Sequence, residues 1–211
     1  MDGVNPRLFE IFHEVHRSLL RLGPGNNEST LRALLLCSGL PDNPAILDIG
    51  CGPGMQTLAL AKACQGNLTA VDICEEYLEF LRQRVTDSKL KDQVKFINAD
   101  MNDLCFVDAS FDLIWSEGAI YIMGVPNALQ ASRPLLCDQG YLAFTELVWL
   151  DEHPESAVAE FFHNEYPAMT DISTIQEMIR TNGMRQSEIL HYQTPLGGKT
   201  TTRRYQKNYP H

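Results

Sequence analysis

The sequence predicts an α/β domain built on a mostly parallel sheet with helices on both faces. Three observations predict it. From residue 45 onward, short and almost wholly apolar runs alternate with stretches of helical periodicity, which is the texture of βαβ units whose strands are covered on both sides. The first of these runs ends in a glycine-rich turn, Gly50-Cys51-Gly52-Pro53-Gly54, that leads straight into a helical pattern. The chain has 211 residues, 44% of them hydrophobic and 21% charged, which suits one sizeable core that needs neither a disulfide framework nor a structural metal.

Composition narrows the classes of function. Lys and Arg total 17 against 27 Asp and Glu, a net charge of −10. Duplex nucleic acid takes clustered cations, so it is not an expected partner. The six cysteines, at 37, 51, 64, 74, 105 and 137, show neither Cys-x-x-Cys nor zinc-finger spacing. They read as reduced thiols acting as small hydrophobes in a cytoplasmic protein, with no metal site. The first residues, MDGVNPRLFE, contain no apolar signal core, and no run of about 18 apolar residues occurs, so neither a signal peptide nor a membrane span is expected.

Taken in order, residues 6–22 read as an amphipathic helix, with Leu8, Phe9, Ile11, Phe12, Val15 and Leu19 at helical spacing before Gly23-Pro24-Gly25 breaks it. A second helix is expected over 28–38, capped by Asn27 or a neighbour, with Leu31, Leu34 and Leu35 facing inward. Residues 1–40 thus form a helical cover, and 41–211 the main domain. Strands are expected at 45–49, 67–72, 94–99, 111–116 and 141–149, with helices at 55–64, 75–85 and 126–136 between them. A helical insertion follows over about 151–170. Residues 171–183 carry a helix signature, Asp171 or Ser173 as cap and Gly183 as stop. Residues 184–193 are a sixth strand candidate, and the polar, basic tail LGGKTTTRRYQKNYPH reads as either a last strand or a loose end.

The chemistry concentrates at the strand ends. Glycines at a strand-to-helix turn allow positive φ and close approach of a ligand to the main chain, and the following helix offers unpaired N–H groups. The spacing Gly50-x-Gly52-x-Gly54 lacks the third glycine of a dinucleotide fingerprint, where Met55 stands instead. Asp48, inside the strand end, suits a ligand with a cationic end. Asp72, at the end of the second strand, can accept from both hydroxyls of a ribose, or else cap the helix beginning Glu75-Glu76. Asp100, after the third strand, can accept from an exocyclic amine with Met101 beside the ring, or cap its own loop. The main-chain N–H groups of Gln56 and Thr57 can meet a carboxylate; their side chains need no role. Ser116-Glu117-Gly118 follows the fourth strand, where this fold presents residues to its ligand crevice. Glu117 reads equally as a substrate-binding or general-base carboxylate and as a structural salt bridge. Ile120, Tyr121 and Met123 read as an apolar wall of the site or as ordinary core. Glu28 and Thr30 fit either a lid or a helix cap. His13 and His16 read as packed or solvated, and His153 and His163 as remote candidates for a base.

The segments ILDIGCGPG, AVD, NADM and FDLIWSEG together resemble the class I S-adenosylmethionine-dependent methyltransferases of small-molecule type, over roughly residues 26–190. The resemblance implies a Rossmann-like, doubly wound sheet of seven strands, mostly parallel. It also implies S-adenosyl-L-methionine as cofactor and a small-molecule methyl acceptor as partner. Carried over by motif, the methionine moiety falls to Asp48, Gly50, Cys51, Gly52, Gly54 and Gln56. The ribose falls to Asp72 with Ile73, the adenine amine to Asp100 with Met101, and the crevice edge to Ser116, with Glu117 and Tyr121 toward the substrate. A homodimer stays open. The chain departs from the family at Cys137-Asp138-Gln139-Gly140, where a Lys-Pro-Gly-Gly type of turn is usual, and in its tail, so the last strand is expected to be altered or missing. A non-catalytic member of the same fold, or less readily an NAD-dependent oxidoreductase, are the alternatives.

Overall fold

In a computed structural model that describes residues 19–151, 153–193 and 199–207, the chain forms one sheet in the order β3-β2-β1-β4-β5-β9-β8. The strands are β1 (Ala45–Ile49), β2 (Asn67–Asp72), β3 (Val94–Asn98), β4 (Phe111–Ser116), β5 (Leu136–Glu146), β8 (Met184–Gln193) and β9 (Lys199–Lys207). The helices are α1 (Asn27–Leu36), α2 (Met55–Ala63), α3 (Glu75–Asp87), α4 (Val125–Leu135), α5 (Ser156–Glu165) and α6 (Ile172–Thr181). A two-residue ladder, β6 (Val148–Trp149) on β7 (Thr170–Asp171), flanks α5. The first five strands of the sheet run parallel, β1 against β2 and β4, β2 against β3, and β4 against β5. β9 then inserts antiparallel between β5 and β8. The parallel core therefore has five strands, and the total of seven is reached with the C-terminal pair. Within the tail, Lys199–Lys207 is a paired strand and not a missing one. Its backbone bonds to β5 decide this where its polar side chains give no pattern.

Alternation along the strands divides the core. Leu47 and Ile49 of β1 join one cluster, with Leu129 of α4 and Ile175 and Ile179 of α6. Ile46 joins the other, with Ala33 of α1, Leu60 of α2 and Leu78 and Leu81 of α3. Each such buried aliphatic side chain contributes about 1.5–3 kcal/mol. Asp48 shares the face of Ile46, in the middle of β1, and is fully buried.

Several element boundaries differ from expectation. The helix expected over 6–22 lies outside the described residues except for 19–22, which are not helical; His13 and His16 lie outside them too. α1 is capped by Asn26, whose side chain accepts from Ser29 N while the Ser29 hydroxyl closes a capping box. Its buried face is Thr30 and Ala33, with Leu34 packed partly buried on the core as expected, whereas Leu31 and Leu35 are 37% and 80% exposed. The fifth strand begins earlier than expected and breaks at Leu147. The turn at Cys137–Gly140 is built into its start, where Gln139 takes φ +63° and the register with β4 shifts. α6 is as expected: Asp171 accepts from Thr174 N at 2.9 Å, and Gly183, at φ +69°, ends it.

Candidate active site

The site candidates gather at the C-terminal edge of β1, β2 and β4, where the strand order reverses, the usual crevice of a doubly wound sheet. The glycine turn folds back onto β2: the N–H groups of Gly50 and Cys51 both donate to the Val71 carbonyl, at 2.9 and 3.0 Å. Gly50, Gly52 and Gly54 have φ of +70°, +52° and +84°, the left-handed region that side chains enter at a cost of about 1–2 kcal/mol. The three are not equivalent. A β-carbon on Gly50 would stand 2.4 Å from Ala119 Cβ and one on Gly54 2.2 Å from Leu81 Cδ1. Those two are glycine because protein packs against them. On Gly52 a β-carbon would meet Leu22 at 3.5 Å, so there the turn faces the residues that lie over it.

The rest of the turn is pinned by groups whose part was not legible beforehand. Gln56, buried at the start of α2, donates from Nε2 to the Cys51 carbonyl at 2.8 Å; its side chain has a role after all, because an internal carbonyl at a tight turn must find a donor. Arg84 of α3 donates to the Pro53 carbonyl at 2.6 Å. The buried Cys51 thiol lies 3.6 Å from the Gly52 carbonyl, and its pKa is pushed well up by burial.

Asp72 ties the turn to β2. One carboxylate oxygen accepts from Gly52 N at 2.7 Å and the other from Cys74 N at 2.9 Å. It does not cap α3, whose N-cap is Cys74 without a side-chain bond. Asn98 of β3 donates to the carbonyls of Asp72 and Ile73 at 3.1 and 2.9 Å, which leaves Ile73 half exposed beside the carboxylate. Asp100 accepts from the N–H and the side-chain amide of Asn102, at 2.9 and 2.8 Å, and these bonds hold it below the usual carboxylate range. Its loop-capping role is thus present in the structure. The Met101 methyl would lie 3.2 Å from a β-carbon on Gly50, so Met101 leans over the turn. Ser116 donates to the Ile49 carbonyl at 3.0 Å and stitches β4 to β1.

Asp48 is the electrostatic anomaly of the site. Thr57 donates to its Oδ2 at 2.6 Å, while its Oδ1 is buried with no hydrogen-bond partner among the described residues. Burial first, and then the nearby charges of Glu117 and Asp72, push its pKa up to about 7 against the lowering effect of Thr57 and Arg21. Glu117 is also buried and also raised by burial. It forms an ion pair with Arg21, accepts from the Thr30 hydroxyl at 2.8 Å and from Trp115 Nε1 at 3.2 Å. A free general base is not what this geometry presents: Glu117 would have to leave three partners to take a proton. Of the two readings of Glu117 above, the salt bridge is the one built, and it reaches back to the entry segment at Arg21 rather than forward to the next helix.

That segment lies over the site. Arg21 also donates to Asn27 Oδ1 at 2.9 Å. Leu22 sits above Gly52, and Gly23 and Gly118 touch so closely that a β-carbon on either would fall 2.8–3.0 Å from the other's Cα. Gly118 N donates to Thr145 Oγ1 at 2.6 Å, fixing this loop to β5. A cleft of about 970 Å³ opens to one side, between β6, α5 and the start of α6, and His163 is among its lining residues. Tyr121, about half exposed, makes an edge contact with Tyr166 in that lining, at 6.0 Å between ring centroids. His153 lies in the exposed loop before α5, its N–H donating to Asp151 at 2.9 Å. Among the described residues no cluster of three or more His, Cys, Asp or Glu side chains is placed to hold a metal ion, and no described helix is long and apolar enough to cross a membrane.

A five-stranded parallel core with a glycine turn at its switch point, acids at the next two strand ends and an antiparallel C-terminal pair define a Rossmann-like α/β domain of the methyltransferase type. Residues 46–140 match the methyltransferase domain family. The O-methyltransferase cnsE of Penicillium expansum is 30% identical over 149 residues, covering 68% of this chain and 53% of the relative. The chain spans about half the length of the curated relatives it matches. Among solved structures, phosphoethanolamine N-methyltransferase 2 of Haemonchus contortus superposes with a TM-score of 0.75 at 14% identity, over 95% of this chain and 57% of that one. The [4+2]-cyclase SpnF superposes with a TM-score of 0.75 at 13% identity, over 96% and 93%. At these identities the likeness is one of fold, and a fold hosts more than one chemistry.

Proposed function

We propose that the protein is an S-adenosylmethionine-dependent methyltransferase of a small-molecule acceptor, acting in the cytoplasm. The observation that carries this reading is the buried, unpartnered oxygen of Asp48 beneath the glycine turn. A carboxylate oxygen held dry and without a donor costs free energy unless a ligand supplies one, and the cationic amino-acid end of the cofactor is such a donor. The neighbourhood agrees, since Asp48, Asp72 and Glu117 outnumber Arg21 and so favour a ligand of net positive charge. The same surroundings disfavour the pyrophosphate of NAD, and Met55 stands where the third glycine of that fingerprint is due.

The residues divide the ligand as follows. Asp48 and the turn Gly50–Gly54, with the N–H groups opening α2, take the amino-acid end. Asp72 and Ile73 take the ribose and one face of the base, and Asp100 and Met101 the base edge. When bound, the sulfonium supplies an electrophilic methyl group, whose bond to sulfur breaks as its bond to the acceptor's nucleophilic atom forms, the electron pair returning to sulfur and any acceptor proton leaving to solvent or a nearby base. The protein's share is positioning and exclusion of water. Leu22, Gly23 and Ala119 close over the turn, and Glu117 holds that cover through Arg21 and Thr30. In this reading Glu117 is a positioning residue, and residues 19–40 serve as the cover of the domain formed by 41–211. Tyr121 stands toward the acceptor.

Isothermal titration with S-adenosylhomocysteine tests the assignment. Wild-type protein is expected to bind it, and Asp48→Ala to weaken it at least tenfold. No binding by the wild type, or equal affinity in the variant, would overturn the site.

A further inference from the structure

We propose that the cleft between β6, α5 and the start of α6 is the acceptor site, and that it selects a small molecule bearing a cationic nitrogen on an apolar or aromatic frame and no anionic group. The proposal rests on the methyl-transfer reading above and names the substrate class for it.

The cover helix is the first sign that this cleft is built for an occupant. A ten-residue helix holds in water chiefly by burying one face. None of the ten residues of α5 is buried, and Val158 and Phe161 are 42% and 58% exposed. Phe162 turns inward, edge-on to Trp149 at 5.8 Å between centroids. What lies beneath the helix is open volume, about 970 Å³, at the upper end of the range of small-molecule sites.

The lining says which molecule. Trp149, Phe162 and Tyr166 supply aromatic rings, and Asp151, Glu160 and Asp171 supply carboxylates. Asp171 spends its oxygens on the cap of α6 but keeps its charge. Among the described residues His163 is the one basic side chain of the lining, which holds no Lys or Arg. Aromatic faces and carboxylates attract a cation together, whereas a phosphate or carboxylate would meet three like charges.

Packed side chains link the cleft lining to the methyl-transfer edge. The Tyr166 hydroxyl lies close enough to Glu146, the last residue of β5, for that carboxylate to add to the burial that raises its pKa. Its ring meets Tyr121, on the short helical turn that follows Ala119, the residue packed on Gly50. Tyr166, a lining residue, thus joins the cleft through Tyr121 to the segment that packs on the glycine turn.

Calorimetric titration with phenyltrimethylammonium, its uncharged isostere tert-butylbenzene and phenyl phosphate tests this. Each is measured on the whole protein with and without saturating S-adenosylhomocysteine. The cation is expected to bind at least tenfold tighter than the isostere, and phenyl phosphate not to bind. Replacing the exposed pair, Asp151→Asn with Glu160→Gln, is expected to weaken the cation severalfold and leave the thermal midpoint unchanged. Trp149→Leu is expected to weaken it at least tenfold. Equal or tighter binding of phenyl phosphate overturns the proposal, as does an unchanged cation affinity in both variants. So does a cleft closed by self-association, read as a dimer that the cation cannot dissociate. Cation binding without S-adenosylhomocysteine binding would sink the methyl-donor reading and leave the cleft's selectivity standing. The reverse result would sink the cleft alone.

Discussion

At the scale of single residues, the glycine turn separates two jobs that its spacing presents as one. Gly54 is needed by the fold: Gly54→Ala puts a methyl 2.2 Å from Leu81 in a left-handed backbone and is expected to cost about 2–4 kcal/mol from overpacking and φ together. Gly52→Ala meets nothing nearer than Leu22 at 3.5 Å, so its stability cost is the backbone's, about 1–2 kcal/mol. Its methyl would stand over the turn and is expected to weaken S-adenosylhomocysteine at least tenfold. Thermal melts beside titrations separate the pair, and a Gly52 variant of unchanged affinity would remove that residue from the ligand site. Asp48 gives a pH signature. Its carboxyl is raised from 3.8 to about 7 in the folded state, so its contribution to stability is complete below about pH 4 and is lost as pH rises through about 7. At about 1.4 kcal/mol per unit, the loss has a ceiling of about 4 kcal/mol. The ligand-free protein is expected to melt lower at pH 8 than at pH 6, and Asp48→Asn to flatten that slope. An equal slope in both proteins would mean that Asp48 is already ionised at pH 6.

At the scale of elements, the entry segment is tied to the tip of β4 by one buried ion pair, with side chains 12% exposed at Arg21 and 4% at Glu117. Removing one partner of such a pair strands the other charge, which costs about 3–5 kcal/mol, while replacing both is often close to neutral. Arg21→Ala is therefore expected to lower stability and to open residues 19–26 to proteolysis. Arg21→Met combined with Glu117→Leu should regain much of the stability. A double variant as unstable as the sum of the single ones would show that the pair carries no coupling. The strand-to-turn motif was legible because it is local: Asp48, the three glycines and Asp72 sit where their spacing from apolar runs puts them. Arg21, Arg84 and Thr145 were not, because each reaches the site from an element distant in the chain, and nothing in the sequence around them marks the partner. The inward face of α1 was misread for a related reason. Leucines at helical spacing suggest a buried stripe, but of the three only Leu34 packs on the core, beside Ala33 and beside Thr30, which donates to Glu117.

At the scale of the whole molecule, the last strand in the chain is an inner strand of the sheet. β9 pairs with β5 from Tyr141↔Gln206 to Glu146↔Thr201 and with β8 along its other edge. The sequence hides this, because KTTTRRYQK has no apolar alternation and the strand is held by backbone pairing with partners far away in the chain. β5 carries Leu142, Ala143 and Phe144, all nearly inaccessible, so it is a central strand in composition. A chain ended at Gly183 would turn it into an edge, leaving a row of unpaired N–H and C=O groups along a long apolar strand, a template for intermolecular pairing. Such a truncation is expected to aggregate on expression and, if refolded, to lose a cooperative melt, although every proposed cofactor and acceptor residue is retained. Sedimentation and circular dichroism of the truncated chain decide the matter. A soluble monomer with an undiminished melt would show that the five parallel strands are self-sufficient. Aggregation would show that the C-terminal pair is what keeps the site-bearing strands in a closed sheet.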